Sequence, residues 1–99
     1  MLIVTGTMDV PAENAVAVAE AALGASQATR AEKGCRVYAF WQSVENPGQF
    51  RVYEEWDDLD CLKAHGASDH MGTWRAALKE LGVLGRDVVM FEPGPITKL

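Results

Sequence analysis

Two strand-forming runs, Cys35–Ser43 and Gln49–Trp56, flank the turn tetrad Glu45-Asn46-Pro47-Gly48, and this pairing constrains the chain more than any other feature. Proline presets one turn residue, glycine relieves another, and Val, Tyr, Phe and Trp on either side suit a pleated surface, so the two runs must close as a hairpin. The pattern within the runs is more demanding still. Val37, Ala39 and Trp41 point one way while Tyr38 and Phe40 point the other; Phe50, Val52 and Trp56 likewise oppose Tyr53. A sheet with one wet face alternates apolar and polar residues. This hairpin is apolar on both faces, so both need cover.

The rest of the chain supplies the cover for one face. Leu2 to Met8 is a short strand ending at Asp9-Val10-Pro11, where proline favours a helix start. Ala15, Val16, Ala19, Ala22, Leu23 and Ser26 follow at three- and four-residue steps, which predicts a helix with a small-residue face able to lie close on a sheet. Gly34 is placed to stop it. A second helical region opens at Asp57-Asp58, breaks near Gly66-Ala67-Ser68 and resumes from Asp69 to about Leu81. Arg86 to Glu92 is a last strand, with Val88 and Met90 opposed to Val89 and Phe91. The order β-α-β-β-α-β predicts an α+β fold: a ferredoxin-like, four-stranded antiparallel sheet with its helices on one side. The uncovered apolar face predicts a homodimer in which two sheets meet and enclose a barrel. One domain is expected over residues 1–99, with a core of about 2–92 and a C-terminal tail at 93–99.

Charge and composition exclude several functions. A net charge of −5 with no basic stripe argues against nucleic acid. The N-terminus has neither a basic leader nor a long apolar run, and no segment approaches a membrane span, so no membrane is expected as a partner. Cys35 and Cys61 are expected to be reduced thiols in a cytoplasmic protein. No Gly-rich loop suggests a nucleotide, and no Ser, His and Asp grouping suggests a hydrolase.

Groups able to move a proton near neutral pH are few, and the only two histidines, His65 and His70, lie five positions apart. His70 precedes Trp74 by one turn and should face the sheet; its plainer reading is a core histidine held by a hydrogen bond. For His65 the plainer reading is a cation at a helix C-terminus. Glu54 lies between Val52 and Trp56 on one strand face and needs a partner there: a histidine, an arginine such as Arg30 or Arg51, or a backbone donor. Trp56, Trp74, Tyr53, Phe40 and Met90 are candidate walls of a substrate pocket, or simply core. Asp57, Asp58 and Asp60 suit the capping of a helix N-terminus. Five residues is the wrong spacing for a metal pair on one helix, and no zinc-hydrolase motif is present, so no metal is expected.

Two segments carry a family resemblance. Arg30, Glu32, Gly34, Cys35 and Tyr38 fit Arg-x-Glu-x-Gly-Cys-x-x-Tyr, and Glu54 and Trp56 with Ala64-His65, Ser68 and His70 fit Glu-x-Trp followed by Ala-His-x-x-Ser-x-His. Over roughly Leu2 to Glu92 the chain resembles the antibiotic biosynthesis monooxygenase family, dimeric α+β barrels that include quinol monooxygenase-like proteins. The resemblance implies a monooxygenase without cofactor, acting with dioxygen on a small quinol or polyphenol. It implies His65 and His70 as the proton-handling residues with Glu54 orienting them. Haem-degrading relatives carry an Asn on the first strand and a Trp and a His on the second helical region. Leu2 to Met8 has no Asn, and His65 stands near the place of that Trp, which argues against haem breakdown. Alternatives on the same fold are an isomerase acting on a small carbonyl compound and a ligand-binding or stress-related dimer without catalysis.

Overall fold

The computed structural model describes residues 1–99. Strands β2 (Cys35–Gln42) and β3 (Gln49–Trp56) form the hairpin, with Ala39 opposite Tyr53 and Trp41 opposite Arg51. Its turn is tied locally: Asn46 Oδ1 accepts from the Gly48 N–H at 2.9 Å, and Ser43 Oγ accepts from the N–H groups of Glu45 and Asn46 at 3.2 Å. Strand β1 (Leu2–Asp9) lies against β3, and β4 (Gly85–Phe91) lies against β1. The sheet is antiparallel throughout in the order β2-β3-β1-β4, as a ferredoxin-like fold requires.

Helix α1 (Ala15–Arg30) follows a single 3₁₀ turn at Ala12–Asn14, just after Pro11. Its buried face is Ala15, Val18, Ala22, Ala25, Ser26 and Thr29. This is the predicted stripe rotated by part of a turn, for Val16 and Leu23 face outward at 74% and 55% exposure. Steps of three and four residues run through both rows. The row richer in small side chains takes the sheet because only it allows the helix axis to come close.

The second helical region is two helices, α2 (Leu59–Gly66) and α3 (Asp69–Leu81). Of the three aspartates expected at the start of α2, Asp58 is the cap, accepting from the Cys61 N–H at 2.9 Å. Asp57 instead pairs with Arg36 at 2.6 Å. Ser68 in extended conformation separates the helices, and its hydroxyl donates to the His65 carbonyl at 2.6 Å.

Gly34, at φ +80°, turns the chain into β2. A β-carbon there would overlap Cys61 and would also force a left-handed conformation on a side-chain-bearing residue. The helices cover one sheet face, where two apolar groups meet. One is built around Met8, Val18, Phe50, Trp74 and Leu78, the other around Leu2, Val4, Tyr38, Val52 and Trp56. The opposite face carries Trp41, Val89 and Phe91, each about half exposed, beside a buried Ile3. No helix is long and apolar enough to cross a membrane.

Candidate active site

Where the two apolar groups meet, the sheet and α3 leave a small cavity of about 60 Å³. Val52 of β3, Gly6 of β1 and Val88 of β4 line it on the sheet side; Met71, Trp74 and Leu78 line it from α3, with Tyr38 and Phe40 at the β2 end. Gly6 is a requirement here, because a β-carbon at that position would overlap the backbone of Asp87 and Val88. The bare position lets β4 press in and brings Arg86 to the cavity.

Only Glu54 and Arg86 bring charge to this apolar lining. Glu54 is 6% exposed, and its Oε1 accepts from the Trp56 indole N–H at 2.9 Å. Burial pushes its carboxyl up to about 7, opposed by the Trp56 hydrogen bond and by the positive charge of Arg86. Arg86 itself is exposed, on the edge strand, and so stands on the solvent side. The pair comprises a carboxyl poised to exchange a proton at neutral pH and a cation able to hold the anion that results.

Behind Tyr38 lies a second group. His65, at the end of α2, is buried; its ring lies 4.7 Å from that of Trp56 and 5.2 Å from that of Tyr38, centroid to centroid. Its Nδ1 is 3.2 Å from both carboxylate oxygens of Glu32. His70, in the first turn of α3, reaches the same carboxylate through Nε2, with Ser68 Oγ 3.3 Å away. Burial pushes the His65 imidazole below its ordinary value, and the Glu32 carboxylate partly restores it. Tyr38 is held well above the usual phenol range by burial and by the charges of Glu54 and Glu32, so it stays protonated, its hydroxyl 4.0 Å from Met71 Sδ.

The structure thus brings His65 and His70 together, but on Glu32 and not on Glu54. They stand five positions apart across a helix break, so the geometry of a single helix does not apply. Neither lines the cavity, whereas Glu54, Trp74 and Phe40 do. Trp56 is fully buried core and serves the cavity through its bond to Glu54. Tyr53 sits on the opposite sheet face, donating to Glu55 at 2.7 Å, and Met90 is half exposed at the open β4 edge. Neither Arg30 nor Arg51 bonds to Glu54: Arg30 donates to the Tyr38 carbonyl and Arg51 to the Thr5 hydroxyl. Sequence reasoning missed Arg86 and the role of Glu32. Arg86 alternates with Val88 and Met90 on the helix-side face of β4, and a lone cation in such a row is the signal that marks it. Glu32 is part of the Arg-x-Glu-x-Gly-Cys segment.

Comparisons with known proteins bear on this arrangement. A family model described as antibiotic biosynthesis monooxygenase matches residues 1–77. A crystal structure from Deinococcus radiodurans, provisionally described as an antibiotic biosynthesis monooxygenase, is 31% identical with a TM-score of 0.92, covering 100% of this chain and 98% of that one. A conserved protein from Methanosarcina mazei is 25% identical with a TM-score of 0.86, covering 94% and 92%. A Nitrosomonas europaea protein, provisionally given the same monooxygenase description, is 22% identical with a TM-score of 0.87 and 94% and 98% coverage, and it supports the fold alone. No protein of curated function matches the chain.

Proposed function

Because the chain belongs to the antibiotic biosynthesis monooxygenase family, we propose that it oxidises a small quinol or polyphenol with dioxygen and without a cofactor. The observation that carries this reading is Glu54, a buried carboxyl with a pKa of about 7 on the wall of an apolar cavity, sharing that wall with Arg86. Dioxygen reacts slowly with closed-shell organic molecules, but a phenolate can hand it an electron. The protein therefore has to take the phenol proton, hold the phenolate and keep water out. Glu54 takes the proton; Arg86 faces the phenolate oxygen; Trp74, Phe40 and Met71 pack the ring. Superoxide and semiquinone recombine at carbon, and loss of water leaves a hydroxylated quinone, with one oxygen atom in the product and one in water. His65 and His70 brace the wall, His65 against Tyr38 and His70 one residue from Met71.

The same reading includes a homodimer through the outer sheet face, supported by the exposed Trp41, Val89 and Phe91 and by the small size of the domain. A dimer would bury this face and close the barrel.

Oxygen uptake across a panel of hydroquinones tests the proposal. Wild type should consume oxygen faster than the uncatalysed rate, and Glu54→Gln should lose at least about 100-fold, the scale of a general base. Equal, slow uptake by both would sink the oxygenase reading. A carboxyl near pKa 7 also suits removal and return of a proton next to a carbonyl, so an isomerase is the second reading. Deuterium exchange into small ketones without oxygen consumption would favour it.

A further inference from the structure

We propose that Glu32, His65 and His70 form a binding site for one divalent first-row transition-metal ion, of which zinc is the simplest occupant. Three separate segments supply the donors: the loop between α1 and β2, the end of α2 and the start of α3. Their ligand atoms all lie within 4.8 Å of one another. Two donors each about 2.1 Å from a tetrahedral ion stand roughly 3.4 Å apart. The 3.2 Å between His65 Nδ1 and either Glu32 oxygen is near that spacing, whereas His70 Nε2 is in direct contact with the carboxylate and has to shift as an ion enters.

Donor chemistry narrows the ion. Two imidazole nitrogens and one carboxylate suit zinc, cobalt, nickel or iron(II), and are poor for calcium and magnesium, which prefer oxygen alone. The rings are also held in advance. His65 is packed against Trp56 and Tyr38, so binding an ion costs it little side-chain freedom. Ser68 has spent its proton on the His65 carbonyl, which leaves its oxygen free to accept beside His70 Nε2 at 3.3 Å. That oxygen can serve as a fourth ligand or fix a bound water.

One of the three ligands reaches the surface. His70 is about a quarter exposed and lines a surface groove of about 290 Å³ with Thr73 and Trp74, between α1 and α3. The groove gives an ion a path to this ligand from solvent. None of the three ligands lines the Glu54 cavity, so this inference stands apart from the proposed oxygenase chemistry. Its rival is a metal-free arrangement in which both imidazoles donate N–H to the shared carboxylate.

Calorimetric titration of chelator-treated protein with Zn(II) decides between them, with Co(II) visible absorption as the spectroscopic check. One saturable equivalent is expected, with cobalt bands of tetrahedral intensity. Glu32→Gln and His70→Ala should each weaken binding by more than the roughly 10–100-fold that loss of an outer-shell partner costs. Both positions are partly exposed, and circular dichroism checks that the variants fold. A Cys35→Ser, Cys61→Ser variant should bind as wild type does. No saturable binding, binding unchanged in both ligand variants, or binding lost with the cysteines would each overturn the site. Glu54→Gln should retain full zinc affinity while losing oxygen uptake, so the metal site and the oxygenase reading can fail separately.

Discussion

Glu54 concentrates the residue-scale physics of this protein. A carboxyl whose pKa rises on folding from its ordinary value of 4.5 to about 7 binds its proton more tightly in the folded state than in the unfolded one. Its contribution to stability is therefore complete below about pH 4.5 and is lost as pH rises through 7, a change of roughly 3 kcal/mol. Glu54→Gln keeps an acceptor for the Trp56 indole but cannot ionise. Thermal melts should show the variant several degrees more stable than wild type at pH 8, with the advantage gone at pH 4.5. The proposed base works only when ionised, so kcat/KM for a quinol should fall below pH 7 with an apparent pKa near that value. A flat profile from pH 5 to 9 would remove Glu54 from the proton transfer. One substitution thus separates stability from reactivity, because the same buried charge weakens the fold and, in the proposed reaction, takes the proton.

At the scale of elements, local chemistry decides whether each piece reaches its place. Gly34 joins α1 to β2 at φ +80° with Cys61 against its α-carbon, so Gly34→Ala should cost about 2 kcal/mol or more, measurable by urea denaturation. Ala22→Leu should cost about 1–3 kcal/mol, because α1 lies close to the sheet on its small residues. Leu23→Ala, on the exposed row, should change little. The hairpin, the break at Ser68 and the four-strand order were legible in the sequence because turn chemistry and strand pattern are local properties. The rotation of α1 was not, since the Val16 and Val18 rows share one periodicity and only contact with the sheet selects between them. For the same reason Glu54 stood out as a carboxylate on an apolar face, while the cation that shares its cavity did not. Arg86 is 32 positions away and reaches that cavity only through the β3-β1-β4 pairing. Glu32 meets the histidines only because α2 and α3 part at Ser68.

For the whole molecule, the sheet is the dividing surface: helices and cavity on one side, Trp41, Val89 and Phe91 on the other. If the proposed dimer uses that second side, sedimentation at micromolar concentration should give twice the 10.8 kDa chain mass. A Trp41→Glu, Val89→Glu variant should then sediment as a monomer. Wild type running as a monomer would contradict the role given to this face. The cavity has its own consequence for turnover. A dry space that accepts benzene is about 150 Å³, against about 60 Å³ between Glu54 and Trp74. If the proposed aromatic substrate binds there, the cavity must widen to admit it, and movement of α3 away from the sheet is the simplest way to do so. On that reading the protein would work as a gated chamber with a turnstile for a roof. Its maximal rate should slow as glycerol thickens the solvent, whereas a permanently open cleft would let the chemical step run at the same pace in syrup as in water.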